Sequence, residues 1–226
     1  MPVIVDWPCS MRRVHAEYFL RWTTRSAGVS IAGREQVVTA NSAVWEVSLT
    51  FPREFRAADV KLFEAKVARM RGRLNIADVC VCDPLTLVTS RYQEPRPFSD
   101  GTWFTDGTGF VDLSGGELAV ATIGSASAGA NSLTVDLTGL PTSQRFQPGD
   151  MFSIDGFLYR VIFATAAGSV NFEPPLRRPV PAETVLQTDP PHFFGRFATD
   201  DEGRRMREFL KWGDQVKVRF VEALDR

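Results

Sequence analysis

The sequence of 226 residues is poor in the side chains on which catalysis and metal binding usually depend. It contains two histidines, His15 and His192, and three cysteines, Cys9, Cys80 and Cys82. Neither histidine stands at a spacing that makes a metal site or a catalytic base with partners. An odd number of widely spread cysteines is typical of free thiols in a reducing compartment. The sequence therefore predicts free thiols and no catalytic residue.

Metal and cofactor sites are excluded on similar grounds. Cys80 and Cys82 would share one side of a strand, but zinc needs two further ligands, and only Cys9 and two distant histidines remain. Ser114 is not flanked as in a G-x-S-x-G nucleophile elbow. The glycines between residues 101 and 116 do not follow a strand and open a helix, as a phosphate-binding loop would. We expect no metal and no cofactor.

Long apolar runs and an excess of either charge are also missing. Twenty-six basic and 27 acidic residues give a formal net charge of −1, so no global positive field holds a phosphate backbone. No run approaches the roughly 18 apolar residues of a membrane span, and the first residues lack a secretory-signal pattern. We expect no membrane partner and no specific nucleic-acid binding. A chain of this charge can still line a channel through which nucleic acid passes.

The clearest pattern present is a strand followed by a helix between Val44 and Arg73. Four apolar side chains alternate with polar ones, as in a half-buried strand: Trp45, Val47, Leu49 and Phe51. After Pro52 the apolar period changes to that of an amphipathic helix: Val60, Phe63, Val67 and Met70, with Leu62 widening the stripe. The candidate core residues are therefore Trp45, Val47, Leu49, Phe63, Val67 and Met70.

The residues before this strand predict further β-structure. Val3 to Val5 fits a short edge strand, and Arg12 to Trp22 an extended arm or irregular strand. The aromatic side chains of that arm would pack either in the chain's own core or on a neighbouring subunit. Gly28 to Phe51 fits a β-meander with a glycine turn and a second turn at Asn41-Ser42. After the helix, strands are expected at 76–81 and 85–88.

A long loop follows, from Tyr92 to Gly116, punctuated by glycine and proline. Long ordered loops in compact domains are usually functional or interfacial. Three aromatic residues in this loop, Trp103, Phe104 and Phe110, are candidates for contacting a glycan or a protein partner. The alternative is that they lie beneath the loop and hold it in place.

Residues 117–189 have the pattern of an all-β module. Six short strands are expected, at 118–123, 132–137, 151–154, 157–163, 169–172 and 184–186, with a strong hairpin signal at Asp155-Gly156. Strands of this length and spacing suggest a small barrel or sandwich. Arg177-Arg178 fits either an anion site or a solvated loop.

The last residues resemble the first region more than the module. Glu202 to Lys211 fits a short polar helix or turn, and Val216, Val218 and Phe220 then alternate with polar residues. We therefore predict a discontinuous first domain, 1–115 with 190–226, and an inserted second domain, 117–189. Arg204, Arg205, Arg207 and Lys211 are expected to face neighbours or solvent.

Several motifs occur in an order that resembles a known family. They are a G-x-x-Q turn (Gly33 to Gln36), the strand Trp45 to Phe51, Met70-Arg71-Gly72 at the helix end, P-G-D-x-F-x-I-D-G-x-L-Y-R-V (Pro148 to Val161) and F-E-P-P-L-R (Phe172 to Arg177). Together they resemble tail-tip proteins of long-tailed bacteriophages, and are most similar to distal tail, or tail hub, proteins.

The resemblance implies a mainly β (α+β) fold with a tail-tube-like β-sandwich and one flanking helix. This domain would form a ring of six or three copies, from which an inserted domain, a barrel of oligonucleotide/oligosaccharide-binding type or galectin-like, projects. The tube protein would lie above the ring and a hub or fibre protein below it. The tape-measure protein and the genome would pass through its lumen. The protein would be made in the host bacterial cytoplasm and located in the virion, at the tail tip.

Two other classes of function are compatible with the sequence. A carbohydrate-binding module would use Trp103, Phe104, Phe110 and the 117–189 barrel to contact a host-surface glycan. A cell-wall hydrolase would need a catalytic dyad, which the sequence does not offer. The mass measured under native conditions separates a tail-tip ring component from these two classes, because a lectin or a hydrolase need not form a ring.

Overall fold

The chain folds mainly as β-structure, which confirms the predicted fold class. In the computed structural model the described residues are 2–29, 31–54, 56–82, 101–103, 105, 120–138, 140, 145–208 and 212–225. Within these ranges there are fourteen strands and a single α-helix. None of the helical structure in these ranges is long and apolar enough to cross a lipid bilayer.

The elements follow one another in three groups. The first comprises β1 (Ile4–Trp7), β2 (His15–Val29), β3 (Glu35–Phe51), α1 (Ala57–Met70) and β4 (Ile76–Cys80). The second comprises β5 (Val120–Ala121), β6 (Ser132–Thr134), β7 (Met151–Ile154), β8 (Phe157–Ala164), β9 (Ser169–Glu173) and β10 (Val185–Leu186). The third comprises β11 (His192–Phe197), β12 (Arg207–Glu208), β13 (Trp212–Gly213) and β14 (Val216–Glu222).

A six-stranded sheet combines strands from the first and third groups, in the order β1-β4-β11-β14-β3-β2. β1 and β4 are parallel, and the other neighbours are antiparallel. β14 aligns Val218 with Leu49 and Phe220 with Val47, so the apolar faces of both strands coincide. The sheet therefore needs residues that are far apart in the sequence.

One face of this sheet carries the first core. The alternation predicted for β3 is present, with Trp45, Val47, Leu49 and Phe51 buried. Trp7 lies at the centre of an aromatic cluster, with ring centroids 5.3–6.3 Å from those of four phenylalanines: Phe51, Phe63, Phe197 and Phe220. Edge-on contacts of this kind add to the apolar area that these rings remove from water.

Helix α1 covers part of that face. Val60, Phe63 and Met70 are buried, and Val67 packs partly buried against the core. Leu62 does not widen the buried stripe as predicted, because its side chain is 39% exposed. The helix ends where Arg71 adopts the left-handed conformation, with φ 50°.

The predicted turn at Asn41-Ser42 is wrong. β3 continues unbroken from Glu35 to Phe51, and the turn of the β2–β3 hairpin lies around Gly33, whose φ is +72°. Val44 pairs with Arg21 and Ala40 with Thr23, so the residues between them form a bulge. A bulge accommodates extra residues within a continuing strand, which is why turn-forming residues occur there.

The second group consists of short strands that pair among themselves. All six expected strands are present, arranged as a four-stranded sheet, β6-β9-β8-β7, and a two-stranded sheet, β10-β5. Isolated bridges connect Ser153 with Gln187 and Thr122 with Val135, which link the small sheet to both ends of the larger one. Asp155 and Gly156 have φ values of 49° and 68°, as a two-residue hairpin turn of type I′ requires.

Of the two alternatives predicted for Glu202 to Lys211, a short polar helix or a turn, the described residues after β11 have a turn. Residues 200–203 form a turn, and β12 then pairs with β13. The Glu202 carboxylate holds the turn in place, because it accepts hydrogen bonds from the backbone N–H and the Nε–H of Arg219 at 2.9 Å. The strand predicted at 85–88 lies outside the described residues.

The module packs directly on the six-stranded sheet. Met151 and Leu158 are buried in the core of the sheet. The indole N–H of Trp45 donates to the carbonyl oxygen of Leu158 at 2.6 Å. The backbone N–H of Phe194 donates to the carbonyl oxygen of Gly156 at 3.0 Å. No strand named above pairs across the two regions within the described residues, but these contacts join them. The domain boundaries at 115–117 and 189–190 stay predictions.

Candidate assembly surface

Of the residues predicted from the sequence, the core candidates lie in the interior, and the loop aromatic that the structure describes lies at the surface. Trp45, Val47, Leu49, Phe63 and Met70 are buried in the core of the sheet, and Val67 is partly buried beside them. Of the three loop aromatics, Trp103 has a side chain that is 48% exposed, while Phe104 and Phe110 lie outside the described residues.

A long β-hairpin extends from the edge of the six-stranded sheet. Residues 15–21 of β2 pair with 44–50 of β3 in the sheet, and the two strands continue beyond the bulge as a two-stranded ribbon. We define the arm as residues 22–29 and 31–38 of this hairpin. At about 3.3 Å per residue, eight residues of strand reach roughly 25 Å from the bulge.

Every residue of the arm is exposed. Five of its exposed side chains are large and apolar: Trp22, Val29, Ile31, Val37 and Val38. Val37 and Val38 are consecutive in the strand, so they point to opposite faces of the ribbon. Neither face of the arm is therefore covered by the described part of this chain.

The outer face of the sheet continues from the base of the arm. A shallow groove of about 180 Å³ crosses β2, β3 and β14, and its lining includes Glu17, Phe19, Glu46, Ser48, Lys217 and Arg219. The guanidinium of Arg21 lies 2.8 Å from the Glu46 carboxylate at its edge. This face therefore mixes both charges with one exposed aromatic ring, Phe19.

A larger groove of about 510 Å³ lies at the opposite end of β3. It is bounded by residues 9–12, by the end of β3 and by the first turns of α1, and its charged lining is mixed: Arg12, Glu54, Arg56, Asp59 and Arg205. Like the outer face, it presents both signs of charge, so neither surface is built for a polyanion.

Arg205, predicted to face neighbours or solvent, lies at the edge of this groove but is partly buried. Its guanidinium donates hydrogen bonds to the carbonyl oxygens of Pro52 and Asp214 at 2.9 and 2.7 Å, and lies over the ring of Phe63. Burial lowers the pKa of Arg205, although nearby carboxylates oppose the shift. The side chain therefore fastens the β12–β13 segment to the end of β3.

The prediction that all cysteines are free thiols is wrong for two of them. Cys9 and Cys80 form a disulfide across 71 residues of sequence, while Cys82 is free and exposed. The reason is topological: β1 runs parallel to β4 with Trp7 opposite Val79, which brings the residues just after β1 to the end of β4.

A histidine completes a cluster at this point. His192 opens β11 and pairs with Cys80 in the sheet register. The possible ligand atoms of Cys9, Cys80 and His192 all lie within 4.8 Å of one another. The Nδ1 atom of His192 lies 2.6 Å from a carboxylate oxygen of Asp78. Sequence spacing could not reveal this cluster, because its members come from three separate segments.

Arg177 is neither an anion site nor part of a solvated loop. Its guanidinium lies 2.8 Å from the Glu222 carboxylate, and the side chains of this pair are 12% and 1% exposed. Glu222 also accepts the backbone N–H of Trp45 at 3.2 Å, and Arg177 donates to the carbonyl oxygen of Ala43. Arg178 instead stacks over the ring of Phe157.

Comparisons with known proteins do not assign the chain to a family. The chain matches no family model and no curated protein. Functional inference therefore depends on the motifs in the sequence and on the surfaces described above.

Proposed function

We propose that the chain is a structural subunit of the tail tip of a long-tailed bacteriophage, in the role of a distal tail or hub protein. Copies of the chain would form a ring, most simply of six, that joins the tail tube above to a hub or fibre protein below. The tape-measure protein and then the genome would pass through the ring. The order of sequence motifs suggests the family, and the arm is the observation that carries the assembly role.

The arm needs a partner for physical reasons. A two-stranded ribbon on its own is marginally stable in water, and three or more strands or a packed face are normally required. Exposed apolar side chains on both faces, such as Val37 and Val38, increase the cost of leaving the ribbon in solvent. We assign the partner as a neighbouring copy of this chain, whose sheet face or groove would cover the arm.

This contact would be between unlike surfaces, arm on one copy and sheet face or groove on the next. Heterologous contacts of this kind generate a closed ring when the rotation between copies closes. The arm carries two arginines, Arg25 and Arg34, beside Glu35, and the groove of the outer face offers Glu17 and Glu46 as well as Lys217 and Arg219. Complementary charge of this kind orients neighbours more than it adds affinity.

We also propose that residues 117–189 form a small barrel that projects from the ring. The bridges that link the two-stranded sheet to both ends of the four-stranded sheet support closure of these six strands. A closed sheet has no free edge, and a peripheral domain without free edges does not pair with other chains by accident.

The assembly state tests this proposal most directly. Native mass spectrometry of the purified protein should give a multiple of the 25.2 kDa chain mass, with six copies expected, and electron micrographs should show rings. The variant Val37→Ser/Val38→Ser should release monomers, because it removes apolar area from both faces of the arm.

A matched control removes two equally exposed apolar residues from the module. Ile162 and Phe163 are also consecutive in a strand and about as exposed as the two valines. Ile162→Ser/Phe163→Ser should leave the ring intact. A monomeric wild-type chain, or equal loss of rings in both variants, would argue against the arm as the assembly element.

A host-glycan-binding function is the second candidate, and the exposed indole of Trp103 favours it. Flat aromatic faces on loops are common contacts for sugar rings. In a glycan-array or cell-wall binding assay, Trp103→Ala should abolish binding if this function applies, while the mass of the assembly stays unchanged.

A further inference from the structure

We propose that Cys9, Cys80 and His192 bind a zinc ion when the Cys9–Cys80 disulfide is reduced, with water as the fourth ligand. Ligand atoms on one tetrahedral zinc lie about 3.5 Å from one another, given Zn–S and Zn–N distances of about 2.3 and 2.0 Å. In the disulfide form the two sulfurs are bonded to each other and lie within 4.8 Å of a His192 ring nitrogen, and reduction frees the sulfurs to move apart to the spacing that zinc needs. Thiolate and imidazole are the ligands that zinc prefers.

The sheet register holds the ligands in place. Residues directly opposite one another on paired strands have Cβ atoms about 5 Å apart, and His192 lies opposite Cys80. Cys9 follows β1, whose last residue is opposite Val79. Cys80 is fully buried, whereas Cys9 is exposed, so the site has a closed side and an open side. The open side admits the ion and the water ligand.

Asp78 supplies an independent indication of a ligand site. Its carboxylate lies 2.6 Å from Nδ1 of His192, and in the tautomer that carries a proton on Nδ1 it accepts that N–H and leaves Nε2 available to a metal. Zinc-bound histidines commonly donate their other N–H to a carboxylate in this way, which fixes the tautomer and the ring orientation. We assign Asp78 as a positioning residue for His192.

The charges of the site balance. A dithiol or phosphine reductant supplies two electrons, the S–S bond breaks, and each sulfur takes up a proton. Zinc binding then releases those two protons, because the ligands are thiolates. Two thiolates and a neutral imidazole cancel the charge of Zn²⁺, which lowers the cost of holding the ion beside the buried Cys80. Disulfide and zinc use the same sulfur atoms and exclude each other.

The test measures zinc uptake by the full chain in both redox states. Protein reduced with a phosphine and then freed of metal should bind one zinc per chain, as measured by elemental analysis and by competition with a chromophoric chelator. The oxidised protein should bind none. Replacing zinc with Co²⁺ should give the thiolate-to-cobalt charge-transfer absorption. Zinc at about 100 times its Kd should raise the Tm of the reduced protein by roughly 5–10 °C.

Single substitutions assign the ligands. Cys9→Ser and His192→Asn should each weaken zinc binding at least ~100-fold, and Asp78→Asn by about 10- to 100-fold while the stoichiometry stays at one. Cys82→Ser is the matched control, since this thiol is exposed and outside the cluster, and it should bind zinc like the unmodified chain. Under the reducing conditions of the assay the unmodified chain also lacks the Cys9–Cys80 cross-link, so Cys9→Ser differs from it only in one ligand atom.

Three results would overturn the site. The first is no zinc uptake by the reduced protein. The second is equal affinity in the oxidised and reduced states. The third is a Cys82→Ser variant that loses zinc as strongly as Cys9→Ser, since the exposed thiol would then be the ligand.

Discussion

The six-stranded sheet and the 120–187 module are both β-structures with aromatic cores, yet their paired strands lie at different distances along the chain. In the module two of the four pairings join consecutive strands, as when Met151 pairs with Arg160 across the β7–β8 hairpin, and the other two join strands that all lie within residues 120–187. In the sheet, β14 pairs with β3 across most of the chain, with Val216 opposite Phe51. Pairings between distant residues cost more loop-closure entropy and form more slowly. The comparison shows that similar cores can depend on very different parts of the chain.

The two regions are nevertheless in direct contact. Leu158 belongs to a module strand but lies in the core of the sheet, and Arg177 of the module pairs with Glu222 of β14. We therefore expect the regions to unfold as one cooperative unit, although their strands pair separately. The following predictions test that expectation, from the largest effect to the smallest.

Removal of a core ring should destabilise both regions together. Phe63→Ala in the sheet and Phe172→Ala in the module should each lower the free energy of unfolding by about 3–5 kcal/mol, because both rings are buried. Chemical denaturation should show a single transition in both variants. Phe163→Ala, at an exposed position, should change stability by less than about 0.5 kcal/mol. Two separate transitions would mean that the regions fold independently.

Loss of the buried ion pair between the regions should lower the free energy of unfolding almost as much. Arg177→Met leaves the Glu222 carboxylate buried without its cation, which should cost about 3 kcal/mol. The double variant Arg177→Met/Glu222→Leu should recover most of that loss, since it buries no unpaired charge. A double variant as unstable as the single one would show that shape, rather than charge, is critical at this contact.

Trp45→Phe tests one of the hydrogen bonds that connect the six-stranded sheet to the module, the bond from the indole N–H to Leu158. The carbonyl oxygen of Leu158 would lose the indole donor, and the loss should be about 1–3 kcal/mol. Leu49→Met, a volume-conserving change elsewhere on the same strand face, should cost less than about 1.5 kcal/mol. Equal effects of the two would assign the loss to packing rather than to the bond.

The smallest effect is expected at an exposed pair within the sheet region. Hydrogen bonds from Arg196 lower the pKa of Asp225. The pair therefore stabilises the folded state at pH values above the unfolded pKa of the carboxyl group. This stabilisation is lost as the pH falls through the folded pKa. Asp225→Asn should therefore cost less than about 1 kcal/mol at pH 7, and nothing in strong acid. The free energy of unfolding in urea, measured for both chains at pH 7 and in strong acid, tests this difference.

Local patterns in the sequence predicted much of the fold. The alternation from Trp45 to Phe51, the apolar stripe of α1 and the Asp155-Gly156 hairpin each arise from neighbouring residues, and the structure has all three. β11 was missed because Gly195 occupies an inward position of the alternation between Phe193 and Phe197. A Cβ there would lie 2.4 Å from the Phe193 ring, so packing requires glycine where a pattern search expects an apolar side chain.

The candidate sites were harder to predict, because they depend on which strands become neighbours. Arg12 to Trp22 predicts an extended arm or irregular strand, but residues 15–21 belong to the sheet, and the observed arm lies at 22–29 and 31–38, where β2 and β3 pair beyond the bulge. Cys9, Cys80 and His192 are brought together by two strand pairings, one of them parallel. Nothing in the spacing of the three residues encodes either pairing.

The position of β14 has a consequence for the order of events during synthesis. This strand lies between β11 and β3, so without it the sheet consists of two separate halves. The module, whose strands precede it, can pair while the ribosome is still translating, since domains fold as they emerge. The sheet that carries the arm closes only after residues 216–222 have left the ribosome. The β2–β3 hairpin can form earlier, because its strands are consecutive, but the outer face that β2, β3 and β14 share is complete only at that stage.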